Sequence, residues 1–276
     1  MGRRYWGIRM KKIWGYLAIA IIFFVLILLW TIRVENSLGY PEFVSGAALF
    51  FIIFFLCLFN MRKRLPFLPL WPAHKWFLLH TVAGFLALFL FWLHAGVLWP
   101  KGLYVQILAI LFYGTTLSGI VGLIMEKIYP NLLTRIGLEC IYERIPRDIA
   151  EIRNKAEILV LECTEKTGSD TLAQHYLETL GWFFQRPRFF LNNIFGGQNA
   201  QTWVKQQCSI LERFLNEAER GYLEQIFTLA ETKRKIDYHY SLQTMLKNWL
   251  LVHVPLAVAV MTMVVWHLIV IQVFFN

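Results

Sequence analysis

Five stretches of the chain contain no Asp, Glu, Lys or Arg and consist mainly of apolar residues. They are residues 13–32, 43–60, 76–100, 102–125 and 248–276. A helix needs about 17–25 apolar residues to cross the hydrocarbon core of a bilayer, and every stretch reaches that length. The pattern therefore predicts an all-α integral membrane protein with five transmembrane helices.

The polar block between the fourth and fifth stretches has helical periodicity. Apolar residues from Val204 to Leu229 recur at steps of three or four, which predicts one long amphipathic helix, and residues 149–159 predict a shorter one. Pro187, Asn192-Asn193 and Gly196-Gly197 mark a loop between helical segments. We expect a small helical bundle or hairpin whose apolar stripes pack on each other.

Three regions follow from this division. Residues 1–125 hold transmembrane helices 1–4, residues 126–247 form a helical insertion, and residues 248–276 form the fifth transmembrane helix. The composition agrees, because hydrophobic residues make up 57% and charged residues only 16%. A soluble domain has about 25% charged residues, so a soluble enzyme, a disordered chain and a secreted disulfide scaffold are excluded.

The net charge of +9 indicates orientation in the membrane. Residues 126–247 contain 16 basic and 16 acidic residues, whereas the rest of the chain has 11 basic and 2 acidic ones, all beside the apolar stretches. Basic residues concentrate before the first stretch and between the second and third, which places those segments in the cytoplasm. By alternation the insertion is also cytoplasmic and the C-terminus lies outside. We expect a multi-pass protein of the cytoplasmic membrane, in contact with lipid and not with nucleic acid.

The insertion itself shows no catalytic constellation. Lys233-Arg234-Lys235 is a short basic cluster that could attract anionic lipid or an acidic redox partner, or simply face lipid headgroups. Glu217-Ala-Glu219 has the pattern of a solvated helix face. The four cysteines form no C-x-x-C pair, so a zinc ribbon, an iron–sulfur run and covalent haem attachment are not expected.

Histidine spacing is the most informative chemical feature. His80 and His94 are fourteen residues apart in the third apolar stretch, and His253 and His267 are fourteen apart in the fifth. On a helix this spacing puts both imidazoles within about 40° of one face and about 21 Å apart along the axis. The two helices run in the same direction, so His80 comes level with His253, and His94 with His267. Two imidazoles at one depth can supply both axial ligands of a haem iron.

An alternative is that these histidines are hydrogen-bonded packing residues or parts of a proton relay. Two equal spacings at matching depths favour ligation, since ionisable residues inside membranes usually serve function. Other residues could complete the haem sites. Trp76 and Trp249 lie one turn before a histidine, Gly84 (with Gly114, Gly119 and Gly122) could leave room for a macrocycle, and Lys75, Lys101 and Lys247 could meet propionates. Aromatic anchoring, helix packing and topology account for these residues equally well.

The pattern His80-x13-His94 and His253-x13-His267, on parallel helices separated by one antiparallel helix, resembles the four-helix dihaem core of transmembrane b-type cytochromes. This family includes the cytochrome b of respiratory bc complexes and the ferric reductase-like proteins. The resemblance covers roughly residues 43–125 and 248–275. It implies two non-covalent haem b groups, with His80 and His253 ligating the inner iron and His94 and His267 the outer iron.

The chain also departs from the family. It has no Pro-Glu-Trp-Tyr motif, no His-Pro-Phe-Thr-type flavin segment and no G-x-G-x-x-G after a strand. Electrons would therefore enter and leave through quinone, a soluble carrier or a partner subunit. We predict the electron-transfer subunit of a membrane oxidoreductase that exchanges electrons with the quinone pool. The alternatives are the electron conduit of a ferric or oxygen reductase and a haem-free scaffold or transporter.

Overall fold

The computed structural model describes residues 2–61 and 72–275, and the side chains of residues 14–59 and 72–274. These residues form helices and loops, with no strand among them. The helices are α1 (Gly2–Asn36), α2 (Pro41–Met61), α3 (Ala73–Ala95), α4 (Leu103–Ile136), α5 (Ile145–Thr167), α6 (Thr171–His175), α7 (Gly181–Gln185), α8 (Phe190–Ile194), α9 (Asn199–Glu212) and α10 (Glu217–Phe275). A 3₁₀ turn (Tyr142–Arg144) precedes α5, and a π-helical turn (Tyr176–Leu180) joins α6 to α7.

The prediction of five membrane-spanning helices is confirmed by length and composition. The candidate spans are Trp14–Asn36, Pro41–Phe59, Ala73–Ala95, Leu103–Ile136 and Glu217–Phe274. The last two exceed the charge-free stretches, because α4 continues to Ile136 and α10 begins at Glu217. The chain divides into two compact units, unit 1 (Met1–Leu123 and Leu250–Asn276) and unit 2 (Ile124–Trp249).

Unit 1 has an apolar core to which all five apolar segments contribute. Ile27 of α1, Ile53 of α2 and Leu90 of α3 are buried in it, together with Phe112 of α4 and Val260 of α10. Many other large apolar side chains of the spans are exposed, among them Leu26, Leu29 and Phe51. In water this would be costly, but in a bilayer the outer surface of a helix bundle contacts lipid tails.

Unit 2 has its own core, formed by the apolar stripes of its helices. Ile149 and Ile152 of α5, Val204 of α9 and Ile226 of α10 are buried in one cluster. The expected packing of these stripes on each other is therefore confirmed. The π-helical turn contributes Tyr176 to the same core.

The prediction of one continuous helix from Val204 to Leu229 is wrong. Helix α9 ends at Glu212 and α10 begins at Glu217. The Asn216 side chain accepts a hydrogen bond from the Glu219 N–H, and the Glu219 carboxylate accepts one from the Asn216 N–H, both at 2.9 Å. This reciprocal pair has the geometry of a capping box, which starts a new helix. Glu219 is consequently buried, and its interpretation as part of a solvated face is also wrong.

Two further interpretations of the polar block are corrected. The loop predicted around Asn192-Asn193 contains the short helix α8, and Asn193 is buried, donating to the Arg188 carbonyl and the Ser241 hydroxyl. The basic cluster at Lys233 is not a free cationic patch. Lys233 is fully buried and paired with Asp237, and Arg234 pairs with Glu231.

Candidate functional site

The two histidines that are fourteen residues apart lie in both cases on a single unbroken helix, within unit 1. His80 and His94 belong to α3, and His253 and His267 belong to α10. Pro255 lies inside α10, two residues after His253. Because proline has no N–H, the carbonyl four residues before it loses its helical hydrogen bond, yet the helix continues through His267.

His94 and His267 face each other. Their ring centroids are 6.4 Å apart, and the ring planes are inclined by 85°. Metal–imidazole bonds measure about 2.0–2.1 Å, and a ring centre lies about 1.2 Å from its nitrogen, so two axial imidazoles on one metal have centroids about 6.5 Å apart. The separation of His94 and His267 matches this value.

His80 and His253 form the second pair. His80 lies fourteen residues before His94 on α3, and His253 lies fourteen residues before His267 on α10. Halfway between the two histidines of α3 lies Ala87, and halfway between those of α10 lies Val260; both are buried. The two histidine pairs are thus separated by a packed apolar layer, which we call the middle layer.

A serine contacts one histidine of each pair. Ser45 of α2 lies 3.3 Å from Nδ1 of His94, and Ser118 of α4 lies 3.3 Å from Nδ1 of His253. The next residue after each serine is a glycine beside the same ring. A Cβ atom on Gly46 would lie 2.9 Å from Cε1 of His94, and one on Gly119 would lie 3.6 Å from Cε1 of His253.

An aromatic ring contacts the other histidine of each pair. Phe59 lies 4.7 Å from the His80 ring, centroid to centroid, and Tyr104 stacks on His267 at 6.0 Å with an interplanar angle of 24°. The Nδ1 atoms of His80 and His267 are buried and have no hydrogen-bond partner among the described residues.

The sequence patterns did not predict these contacts, although Gly119 was named as a small residue. The two serines do carry a signal in the sequence. Within the five charge-free stretches only two serines occur, and a glycine follows both. Phe59 and Tyr104 carry no such signal, because aromatic residues are frequent throughout the spans.

The space beside the histidine helices suits a flat macrocycle. A Cβ atom on Gly84 of α3 or on Gly114 of α4 would meet no atom within 4 Å among the described residues. Helix α3 packs closely against α1 and α2. The facing His94 and His267 rings and the open space at two glycines are the features compatible with a bound macrocycle.

The remaining predicted residues occupy different environments. Trp76 of α3 stacks on Phe55 at 6.0 Å, and its indole N–H has no partner among the described residues. Trp249 packs against the unit 2 cluster around Tyr129. Lys75 is half-buried in the first turn of α3, and Lys101 is exposed just before α4.

Lys247 has a partner within unit 2. Its ammonium group lies 2.9 Å from the Glu143 carboxylate and 3.6 Å from the centre of the Tyr142 ring. The hydrogen bond from Lys247 lowers the pKa of Glu143, with a further contribution from its charge. A role for Lys247 at a propionate would compete with this exposed ion pair.

Comparison of the chain with protein-family models, with curated proteins and with solved structures finds no match. Among the described residues, no group of three or more His, Cys, Asp or Glu side chains could hold a metal ion. A haem iron with two axial histidines uses only two protein ligands, since the porphyrin supplies the other four donors. The candidate site is therefore defined by four histidines of unit 1, His80, His94, His253 and His267, of which His94 and His267 face each other.

Proposed function

We propose that the protein transfers electrons across the membrane through two bis-histidine b-type haems. His80 and His253 would hold one haem, and His94 and His267 the other. The observation that carries the proposal is the 6.4 Å separation of the facing His94 and His267 rings, at the level that equal spacing on two helices predicts.

The haem supplies one-electron redox chemistry, and the chain supplies ligation, burial and orientation. The two histidines of each pair would hold the iron together with the porphyrin and would leave no coordination position for a substrate, so the chemistry supplied would be outer-sphere electron transfer. The apolar side chains around each pair, such as Leu86 and Phe91, exclude water and limit the charge that the site can stabilise. The middle layer, which includes Ala87 and Val260, keeps the two sites distinct.

The partners of the proposed conduit are the quinone pool at one end and a soluble or membrane redox subunit at the other. His74 is exposed in the first turn of α3, where it could exchange a proton with a quinone. The proposed setting is the cytoplasmic membrane, with the N-terminus and unit 2 in the cytoplasm and the C-terminus outside, because the basic residues flank alternate spans.

The test is a haem count on the purified full-length protein and on single variants. The wild type should show reduced b-type absorption bands and two haems per chain. His80→Leu and His94→Leu should each lose one haem, since leucine cannot ligate iron, while His175→Leu in unit 2 should keep both. Two haems in both ligand variants, or none in the wild type, would reject the proposal.

A haem-free protein is the second candidate, and one observation favours it. Rings at 6.4 Å and 85° also suit a direct edge-to-face contact between His94 and His267. In that case the histidines would serve packing or proton relay in a scaffold or transporter. The haem count separates this candidate from the conduit, and co-purification of an NAD(P)H- or flavin-oxidising partner would identify a ferric or oxygen reductase conduit.

A further inference from the structure

Unit 1 contains the same short element twice. Ser45-Gly46 begins the interior of α2, and Ser118-Gly119 lies within α4. In each case the serine hydroxyl contacts an imidazole Nδ1 and the glycine lies beside the same ring. The first contacts His94 on α3, and the second contacts His253 on α10. The two elements therefore serve different helices and different histidine pairs.

The contacts of Ser45 bear on which nitrogen of His94 carries the proton. The Ser45 hydroxyl lies within hydrogen-bond distance of two backbone carbonyls of its own helix, Pro41 at 3.2 Å and Glu42 at 3.3 Å, and of Nδ1 of His94 at 3.3 Å. When the hydroxyl donates its single proton to a helix carbonyl, its oxygen can accept from Nδ1–H of His94. This arrangement favours the Nδ1-protonated tautomer, which leaves the Nε2 lone pair of His94 as the ligating group.

Gly46 contributes the second half of the element. A Cβ atom at this position would lie 2.9 Å from Cε1 and 3.2 Å from Nδ1 of His94, closer than side chains normally approach. The missing Cβ lets the ring lie directly against α2, where the serine hydroxyl can reach it. At Gly119 the same approach to His253 is looser, at 3.6 Å.

We infer that Ser45-Gly46 and Ser118-Gly119 are positioning elements for His94 and His253, which hold each ring by its Nδ1 so that Nε2 is the atom that would ligate a haem iron. The inference rests on the proposed function. Outer partners of this kind fix the ring orientation of ligating histidines and raise their basicity. One ligand of each haem is thus supported by a hydroxyl, and the opposite ligand, His267 or His80, is supported by the ring of Tyr104 or Phe59.

The experiment uses the full-length haem-loaded protein and measures each haem separately. Ser45→Ala should raise the midpoint potential of the His94/His267 haem, because a less basic imidazole stabilises ferric iron less. It should also weaken retention of that haem by about 10- to 100-fold. The other haem should keep its wild-type potential. Ser118→Ala should give the reverse pattern, and Ser45→Thr, which keeps the hydroxyl, should restore the first haem.

Thr31→Ala is the matched control. Thr31 is buried in α1, and its hydroxyl donates a hydrogen bond to the Ile27 carbonyl of its own helix, 2.8 Å away. Wild-type potentials for both haems in the two serine variants, or equal shifts of both haems that Thr31→Ala reproduces, would overturn the inference while leaving the conduit intact. A wild-type protein without haem would instead overturn the proposed function. Electron paramagnetic resonance of the ferric haems provides a second readout, since ligand-ring rotation changes their g-values.

Discussion

Polar groups inside the two units have different kinds of partner. In unit 2 the buried Lys233 ammonium is surrounded by partners from its own unit, namely the Asp237 carboxylate, the Arg186 carbonyl at 2.9 Å and the Phe183 ring at 4.0 Å. In unit 1 the imidazoles of His80, His94, His253 and His267 are half-buried, and two of them keep a buried Nδ1 atom without a partner among the described residues.

The difference lies in how the polar groups are satisfied. A buried ion pair that is satisfied internally leaves no group for a ligand. Two neutral imidazoles can share at most one N–H···N hydrogen bond, so a facing pair leaves ring nitrogens that need another partner. Burial alone is not the criterion, since unit 2 also buries His239. In unit 1, His80 and His94 of α3 have the same spacing as His253 and His267 of α10.

The largest expected effect of a substitution is a loss of stability in unit 2. Lys233→Met should destabilise the full-length protein by about 3–5 kcal/mol, because the Asp237 charge would be left buried without its partner. The double variant Lys233→Met/Asp237→Leu should recover most of this loss. Unfolding followed by far-ultraviolet circular dichroism, with the exposed Lys205→Met as control, measures both. A single variant as stable as the control would contradict the structural role of the pair.

A smaller effect is expected in unit 1 from Gly46→Ala. The added methyl group would press on the His94 ring, and such overpacking costs about 1–3 kcal/mol. If this cost falls on haem binding, the His94/His267 site should bind haem about 5- to 150-fold more weakly. Gly15→Ala in α1 is the control, since its Cβ would meet no atom within 4 Å among the described residues. Haem titration of the two variants distinguishes them, and equal affinities would show that Gly46 does not position the ring.

The smallest effect concerns the helix start in unit 2. Asn216→Ala removes the side-chain acceptor of the capping box and should cost about 1 kcal/mol. Asn131→Ala, inside α4, should cost less, because alanine is favoured within helices. The same unfolding measurement applies. No loss in the Asn216 variant would mean that packing of Leu215, and not the cap, starts α10.

Sequence patterns predicted the features that depend on nearby residues. Whether a stretch can cross a bilayer depends on its own length and apolar composition, and the five candidate spans are confirmed. The stripe after Val204 was misleading, because its spacing continues across the break at residues 213–216, although Ala218 is exposed and Glu219 is buried. The pattern Asn216-x-x-Glu219 is the sequence signal for that break, since it has the spacing of a capping box.

The features that sequence patterns did not predict depend on residues far apart in the chain. Lys233 is buried because the Arg186 carbonyl, 47 positions away, accepts its hydrogen bond. Ser45 contacts His94 across 49 positions, and Ser118 contacts His253 across 135. The facing of His94 and His267 agrees with the spacing argument, whereas haem binding by the four histidines stays a prediction.

The middle layer has an electrical consequence. An electron that passes between the two proposed haems moves about 21 Å along the helix axes, roughly 70% of a hydrocarbon core about 30 Å thick. A full crossing of one charge corresponds to about 2.3 kcal/mol per 100 mV, so this step alone corresponds to about 1.6 kcal/mol per 100 mV. The buried Ala87 and Val260 hold water out of that gap. The membrane voltage would therefore drive the electron toward one site and retard it toward the other, making the protein a voltage-biased one-electron relay.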